Sequence, residues 1–544
     1  IVLCFTHEVG AASRGPTAPP GTYLPLVTLG ASPGGSAVPA FPPVEAPDPV
    51  VRWMVDQVKQ DQVRQYEGVL SGERPVTIDG KQYRIQTRYV YSQEPISVTT
   101  RYAGDHLAGL GLDVEYQLWG PAAAPNVIGE RTGVTRPGDI FMVTAHLDDM
   151  PTGSTAPGAD DNASGSTAVL IAADILSQFE WDCTLRFALF NGEERGLLGS
   201  DAYAQRAKSK GENIAAVFNL DMIGWNAPGS PRDIDLHAKR SLAATVDLAN
   251  QAASTVGAYG IPLIPEVCAD GSVSSDHASF WKYSYTAILG IEDYYPNSHD
   301  FDPYYHSPGD TLSTLDLDYL TDYVKLVVAE TAHMAGCLTT GAVQGLVIAS
   351  HDGSPIRDAE IRTKDPAGRE YALSSDANGR YSRAVPPETY TAWAAAYGYD
   401  STATSNVSVT ANGNSTQDFV LTASVPVAPL VAVTLDGSGI TLAWPHVSPN
   451  IAYEVHESTA PYFTSDAGTR LAVVDAAHPP APNEILKVTR ARNEQGDLEP
   501  GHYYIVRGIN AARASAASGQ MSQFNFSLIR PDQASQAGSS PGKG

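Results

Sequence analysis

Between residues 75 and 338, short apolar runs alternate with longer stretches of helical periodicity, and this alternation narrows the fold more than any other feature of the chain. Ile140 to Ala145 (IFMVTA), Leu185 to Phe190 (LRFALF), Ala215 to Leu220 and Thr286 to Ile291 read as strands. Near-continuous apolar runs of this length fit strands buried on both faces. Ala168 to Leu176 is helical and opens after Asn162-Ala163-Ser164-Gly165, an N-cap-like cluster. A last helix sets Leu320, Val324, Val327, Val328 and Thr331 on one face. Strands alternating with helices imply an α/β fold: a mostly parallel mixed sheet between helices.

The chain has 544 residues, too many for one core, and three or four units are expected. Residues 1–50 are rich in Pro, Gly and Ala with few charges and read as an extended arm. A helix is expected at about 51–66, where Val51, Val55 and Val58 keep helical spacing. The α/β domain spans 51–340, with its core at 75–338. After Cys337 the pattern shifts to short alternating strands between turn signals such as Asp376-Ala377-Asn378-Gly379. Residues 341–424 read as one β-sandwich and 425–530 as a second, with 531–544 a polar flexible tail.

Asp and Glu number 60 against 35 Lys and Arg, a formal net charge of −25. Such a surface repels nucleic acid and anionic lipid. No apolar run is long enough to span a bilayer. A chain that starts at Ile1 fits a processed amino terminus and export to the extracellular space or cell surface. Cys4, Cys183, Cys268 and Cys337 are scattered with no CxxC pair, which disfavours a thiolate zinc site and leaves one or two disulfides or buried thiols open.

In open parallel sheets, sites form beyond the carboxyl ends of the strands. Here those ends run into His146 (Ala145-His146-Leu147-Asp148), Glu193 and Glu194 (Asn191-Gly192-Glu193-Glu194) and Asp221. A glycine-rich loop holds Asp160 and Asp161, and His306 lies far downstream in Tyr304-Tyr305-His306. Imidazoles and carboxylates of this kind suit zinc. Two metals need a shared anionic ligand against their repulsion. One bridging carboxylate, with a His and a carboxylate for each metal, meets that need with five residues. A sixth group, an unligated carboxylate, then serves as proton acceptor.

The motifs AHLDD, GADDNASG, NGEERGLLGS, NLDMIGW, SSDHASF and YYHSPGDT, in this order, resemble those of the bacterial secreted di-zinc aminopeptidases. That superfamily also holds glutamate carboxypeptidases and glutaminyl cyclases, and the resemblance covers about 75–338. It implies two Zn²⁺ ions held by His146, Asp161, Glu194, Asp221 and His306, with Asp161 bridging. It implies Glu193 as general base and then acid, and Asp148 as acceptor of the other ring N–H of His146. Tyr305 matches the oxyanion-stabilising Tyr of one branch. In another branch that Tyr precedes the SDH motif, where this chain has Ser272. His277 of that motif is expected to be packed rather than catalytic. Val343-Gln344-Gly345 and Asp376 to Tyr381 resemble carboxypeptidase regulatory-like sandwiches, and residues 430–530, with Trp444, resemble a fibronectin type III domain.

The implied function is a zinc-dependent exopeptidase acting on peptides with a free amino end. Two alternatives remain. One is a metallocarboxypeptidase-type relative, which needs pocket Arg residues for a substrate carboxylate; a glutaminyl cyclase, typically a one-zinc enzyme, ranks below it. The other is a peptidase-fold structural protein that assembles, or attaches to a cell surface, through the arm and the sandwiches.

Overall fold

The computed structural model describes residues 41–524 apart from 121–123, 152–154, 294–299, 437–438, 461–462, 477–483, 492–501 and 513–521. Cys4, most of the expected arm and the expected tail therefore lie outside the described residues. The chain divides into two compact units, 1–339 and 340–544.

In the first unit the helices are α1 (Pro49–Asp56), α2 (Gln60–Leu70), α3 (Glu94–Gly109), α4 (Gly165–Leu176), α5 (Leu198–Lys210), α6 (Ala243–Tyr259), α7 (His277–Lys282) and α8 (Leu317–Ala335). The strands are β1 (Val76–Ile78), β2 (Lys81–Tyr83), β3 (Asp113–Gln117), β4 (Asn126–Arg131), β5 (Arg136–His146), β6 (Cys183–Phe190), β7 (Asn213–Leu220), β8 (Asp233–His237), β9 (Ile264–Cys268) and β10 (Ala287–Glu292). β1 and β2 form a separate hairpin. The other eight make one sheet in the order β3-β4-β6-β5-β7-β10-β8-β9. The central pairs β6/β5, β5/β7 and β7/β10 are parallel, as is β8/β9, while β3, β4 and the β8/β10 pair bring antiparallel pairing toward the edges.

Alternation along β5 feeds two cores. Ile140 and Met142 join Phe190, Tyr203 of α5 and Phe280 and Trp281 of α7. On the other face α4 and α8 pack on β5, and α1 and α2 pack on α8. α4 is apolar nearly all round and correspondingly buried; only Asp174 is half-exposed, accepting from Gln62 Nε2 and Tyr66 Oη. A Cys183–Cys337 disulfide joins the start of β6 to the chain just past α8.

The helix expected at 51–66 is two helices. Asp48 caps α1 by accepting from the amides of Val50 and Val51, α1 ends at Asp56, and α2 starts at Gln60. Val51, Val55 and Val58 are all buried, so the periodic apolar positions continue across the break. The last part of the expected arm is packed: Phe41 is buried, Val44 N donates to Ser254 Oγ, and Gln251 Nε2 donates to the Pro42 carbonyl.

The second unit is all-β. One pair of sheets is built on Gly341–Ala349 and on Glu360–Lys364; the other is built on Gly439–Pro445 and on Ala452–Ser458. Trp444 is fully buried against Tyr453, Val455, Tyr504 and Val506, which come from the sheet opposite its own.

Candidate metal centre

The parallel strands β5, β6 and β7 end side by side, and their ends deliver His146, the Glu193-Glu194 turn and Asp221 to one place. Asp161 arrives from the loop between β5 and α4, and His306 from the segment after β10. His146 Nε2 lies 3.1 Å from Asp221 Oδ1 and 3.3 Å from Asp161 Oδ1. His306 Nε2 lies 3.0 Å from Glu194 Oε2 and 3.1 Å from Asp161 Oδ2. The five residues thus fall into two triads that share Asp161, which turns one carboxylate oxygen to each.

The donor chemistry fits cations. His146 Nδ1 lies 3.1 Å from the Asp148 carbonyl, an acceptor only, so Nδ1 carries the hydrogen. Nε2 of the neutral ring then presents a lone pair to two carboxylates, an arrangement that needs a proton or a metal between the atoms. In the other triad Glu194 Oε1 is buried without a hydrogen-bond partner. Among the described residues, the ion-pair partners of Asp161, Glu194 and Asp221 are histidines alone. The charges of the two triads answer one another. Burial lowers His146 and His306, yet neighbouring carboxylates outweigh it and push His306 up to about 10. Burial raises Asp161, but the two histidines hold it below the usual range. Burial, then Asp161, push Glu194 up to about 8.

Glu193 stands beside the first triad and lines the same small cavity, about 60 Å³, as His146, Asp161 and Asp221. Burial holds its carboxyl well above the usual range; the charge of His146 opposes this, and Asp221 and Asp276 add to it. The expected Asp148–His146 contact takes a different form. The ring bonds the main-chain carbonyl of Asp148, whose carboxylate Oδ1 is 3.9 Å away. That oxygen instead accepts from the amides of Gly192 (2.8 Å) and Glu193 (3.2 Å), holding the turn that bears both glutamates. Burial pushes Asp148 up to about 6. Gly192 has φ +87°, and a Cβ there would strike Trp119 at 2.7 Å, so the turn requires glycine.

Tyr305 stacks on the His306 ring, centroids 3.7 Å apart, and its side chain borders the cavity. His306 adopts φ +54°, a left-handed conformation costly for a side-chain-bearing residue. His277 is buried, its Nε2 2.8 Å from the Ser272 carbonyl and its ring edge-on to Trp281; burial pushes it down to about 3. Sequence reasoning missed the apolar wall formed by Met222, Leu289, Ile291 and Phe301. The period-two spacing of Leu289 and Ile291 on β10 was the available signal. A further group, Asp235, His237 and Cys268, offers no thiolate because Cys268 is disulfide-bonded.

Residues 126–331 match the model of Peptidase family M28, and residues 342–422 match the carboxypeptidase regulatory-like domain. A probable leucine aminopeptidase of Arthroderma otae is 32% identical over 205 residues, covering 36% of this chain and 53% of that protein. The chain thus spans about half the length of the curated relatives it matches, and those named are fungal rather than bacterial. Among solved structures, the Legionella pneumophila aminopeptidase LapA aligns with a TM-score of 0.45 at 20% identity, over 53% of this chain and 75% of that one. A zinc aminopeptidase from Bacillus subtilis aligns with 0.43 at 17%, over 51% and 95%. The likeness to Peptidase family M28 thus extends over residues 126–331, and that to the carboxypeptidase regulatory-like domain over 342–422.

Proposed function

We propose that this chain is an exported two-zinc aminopeptidase, a reading carried above all by the division of the Asp161 carboxylate between two His–carboxylate pairs. His146, Asp221 and one oxygen of Asp161 would hold one ion, and His306, Glu194 and the other oxygen the second. Bound zinc supplies Lewis acidity toward a peptide carbonyl and acidifies water. Glu193 takes the proton of the attacking water and returns it to the leaving amine. Asp148 orients Glu193 through the amide it accepts from. Tyr305, which lines the cavity, would donate its hydroxyl to the oxyanion.

The cavity supports an amino-end reading. Met222, Leu289, Ile291 and Phe301 form an apolar wall suited to a small or medium apolar side chain, while Asp161, Glu193 and Asp221 attract a free α-ammonium group. No Arg or Lys lines it among the described residues, so a substrate carboxylate finds no cationic partner there, which disfavours carboxypeptidase action. The Cys183–Cys337 bridge supports export, because disulfides persist in oxidising compartments.

The test is chromophore release from Leu anilide with free and acetylated amines. We expect hydrolysis of the free form alone, loss on chelation, recovery with zinc, and two zinc ions per chain by elemental analysis. Two bound ions with no hydrolysis across a panel of amino-terminal residues would overturn the aminopeptidase reading.

A further inference from the structure

The loop that carries Asp161 is held through its main chain by two residues that belong to neither triad and do not line the cavity. Arg88, on the segment between β2 and α3, is fully buried and precedes the part of the chain that matches the family model. Its guanidinium Nε donates to the Leu147 carbonyl at 2.8 Å, Nη1 to Leu70 at 2.9 Å and Pro157 at 2.6 Å, and Nη2 to Gly158 at 2.8 Å and Asp161 at 3.5 Å. Four of those five carbonyls belong to the stretch between His146 and Asp161. Asp310, four residues past His306, accepts from the amides of Asp160 (2.7 Å) and Asp161 (3.1 Å). The Arg88 guanidinium, with the buried Asp149 carboxylate 3.9 Å from its Nη1, therefore takes carbonyls of this loop while the buried Asp310 carboxyl takes its amides.

Resting on the two-metal reading above, we propose that Arg88 and Asp310 are positioning residues that fix the Asp161 carboxylate between the two triads and thereby set the affinity for the pair of cations. A shared ligand tolerates little rotation, because a turn that improves one triad withdraws an oxygen from the other. The forked guanidinium can reach several carbonyls at fixed angles; a lysine ammonium, a point charge, cannot. Asp310 also sits on the segment that supplies His306, so one residue ties the bridging ligand to the last ligand.

The full chain is stripped with chelator and titrated calorimetrically with zinc chloride, as wild type, Arg88→Lys and Asp310→Asn, with far-ultraviolet circular dichroism of each. We expect the wild type to take two equivalents, and both variants to keep the wild-type spectrum while binding weakens about 10–100-fold. Arg88→Ala should regain affinity when low-millimolar guanidinium, but not sodium, is added, a recovery that a purely structural role would not give. Wild-type affinity in either folded variant would overturn the inference. Should the Arg88 variants fail to fold, Asp310→Asn decides alone: weakened binding in a native spectrum supports the clamp, and unchanged binding or loss of the fold overturns it. Absence of zinc uptake by the wild type is a separate result, which removes the metal reading and this inference with it.

Discussion

A carboxylate has two oxygens, and at Asp161 each faces a different imidazole. Asp161→Asn replaces one of those oxygens by an NH₂ donor and removes the charge, so it should abolish uptake of at least one zinc, read by elemental analysis after dialysis. Glu193→Gln asks a different question, because Glu193 is assigned to proton transfer and not to metal. It should keep both ions while kcat falls by about 10²–10⁴, the range of one general acid–base group. Loss of metal with activity would move Glu193 into the ligand set. Tyr305→Phe should lower kcat by about 10²–10³ with little change in KM, as for a lost oxyanion donor; an unchanged kcat would leave Tyr305 as mere packing on His306. The candidate ligand residues stand out in the sequence because His146, Glu194 and Asp221 lie at or just past apolar strand runs and Asp161 lies in a glycine-rich loop. Arg88 does not. It lies in RIQTRYV, a stretch with no periodicity, and its five carbonyl partners are brought together only by tertiary folding.

Elements differed in the same way. β5, β6, β7 and β10 are central and buried on both faces, so they read as continuous apolar runs. β3 (DVEYQ) and β8 (DIDLH) lie at or near the edges and carry charged residues, which hid them. The break between α1 and α2 escaped notice because Gln57-Val58-Lys59 holds no Pro or Gly. In α8, Glu330 is fully buried; Thr255 Oγ1 donates to its Oε2 at 2.7 Å, and Oε1 has no hydrogen-bond partner. Burial holds this carboxyl protonated well above the usual range. The unfolded chain releases the proton near pH 4.3. Stability from this group is therefore complete below that pH and falls as the pH rises toward the folded value. Glu330→Gln removes the titration and keeps an acceptor for Thr255. Its melting temperature should exceed that of the wild type at pH 8, with the gap closing toward pH 4.5; a gap that does not vary with pH would rule this out.

At the scale of the molecule, all the candidate site residues lie in the first unit, 1–339, and the all-β second unit contributes none of them. A chain ending at Thr339 should therefore hydrolyse Leu anilide with kcat/KM within a few-fold of the full chain. A loss of two orders of magnitude, with zinc content retained, would assign the second unit a part in substrate handling.

The Cys183–Cys337 bridge also divides the site in a way that bears on its resistance to proteases. Glu193, Glu194, Asp221 and His306 lie inside the 154-residue covalent loop, while His146 and Asp161 lie before it. A single backbone scission at any exposed turn within that loop leaves both pieces joined through sulfur, with all six candidate site residues on one covalent assembly. Such a nicked form would migrate as one species until reduced, and an environment rich in proteases would then disable it in two steps rather than one.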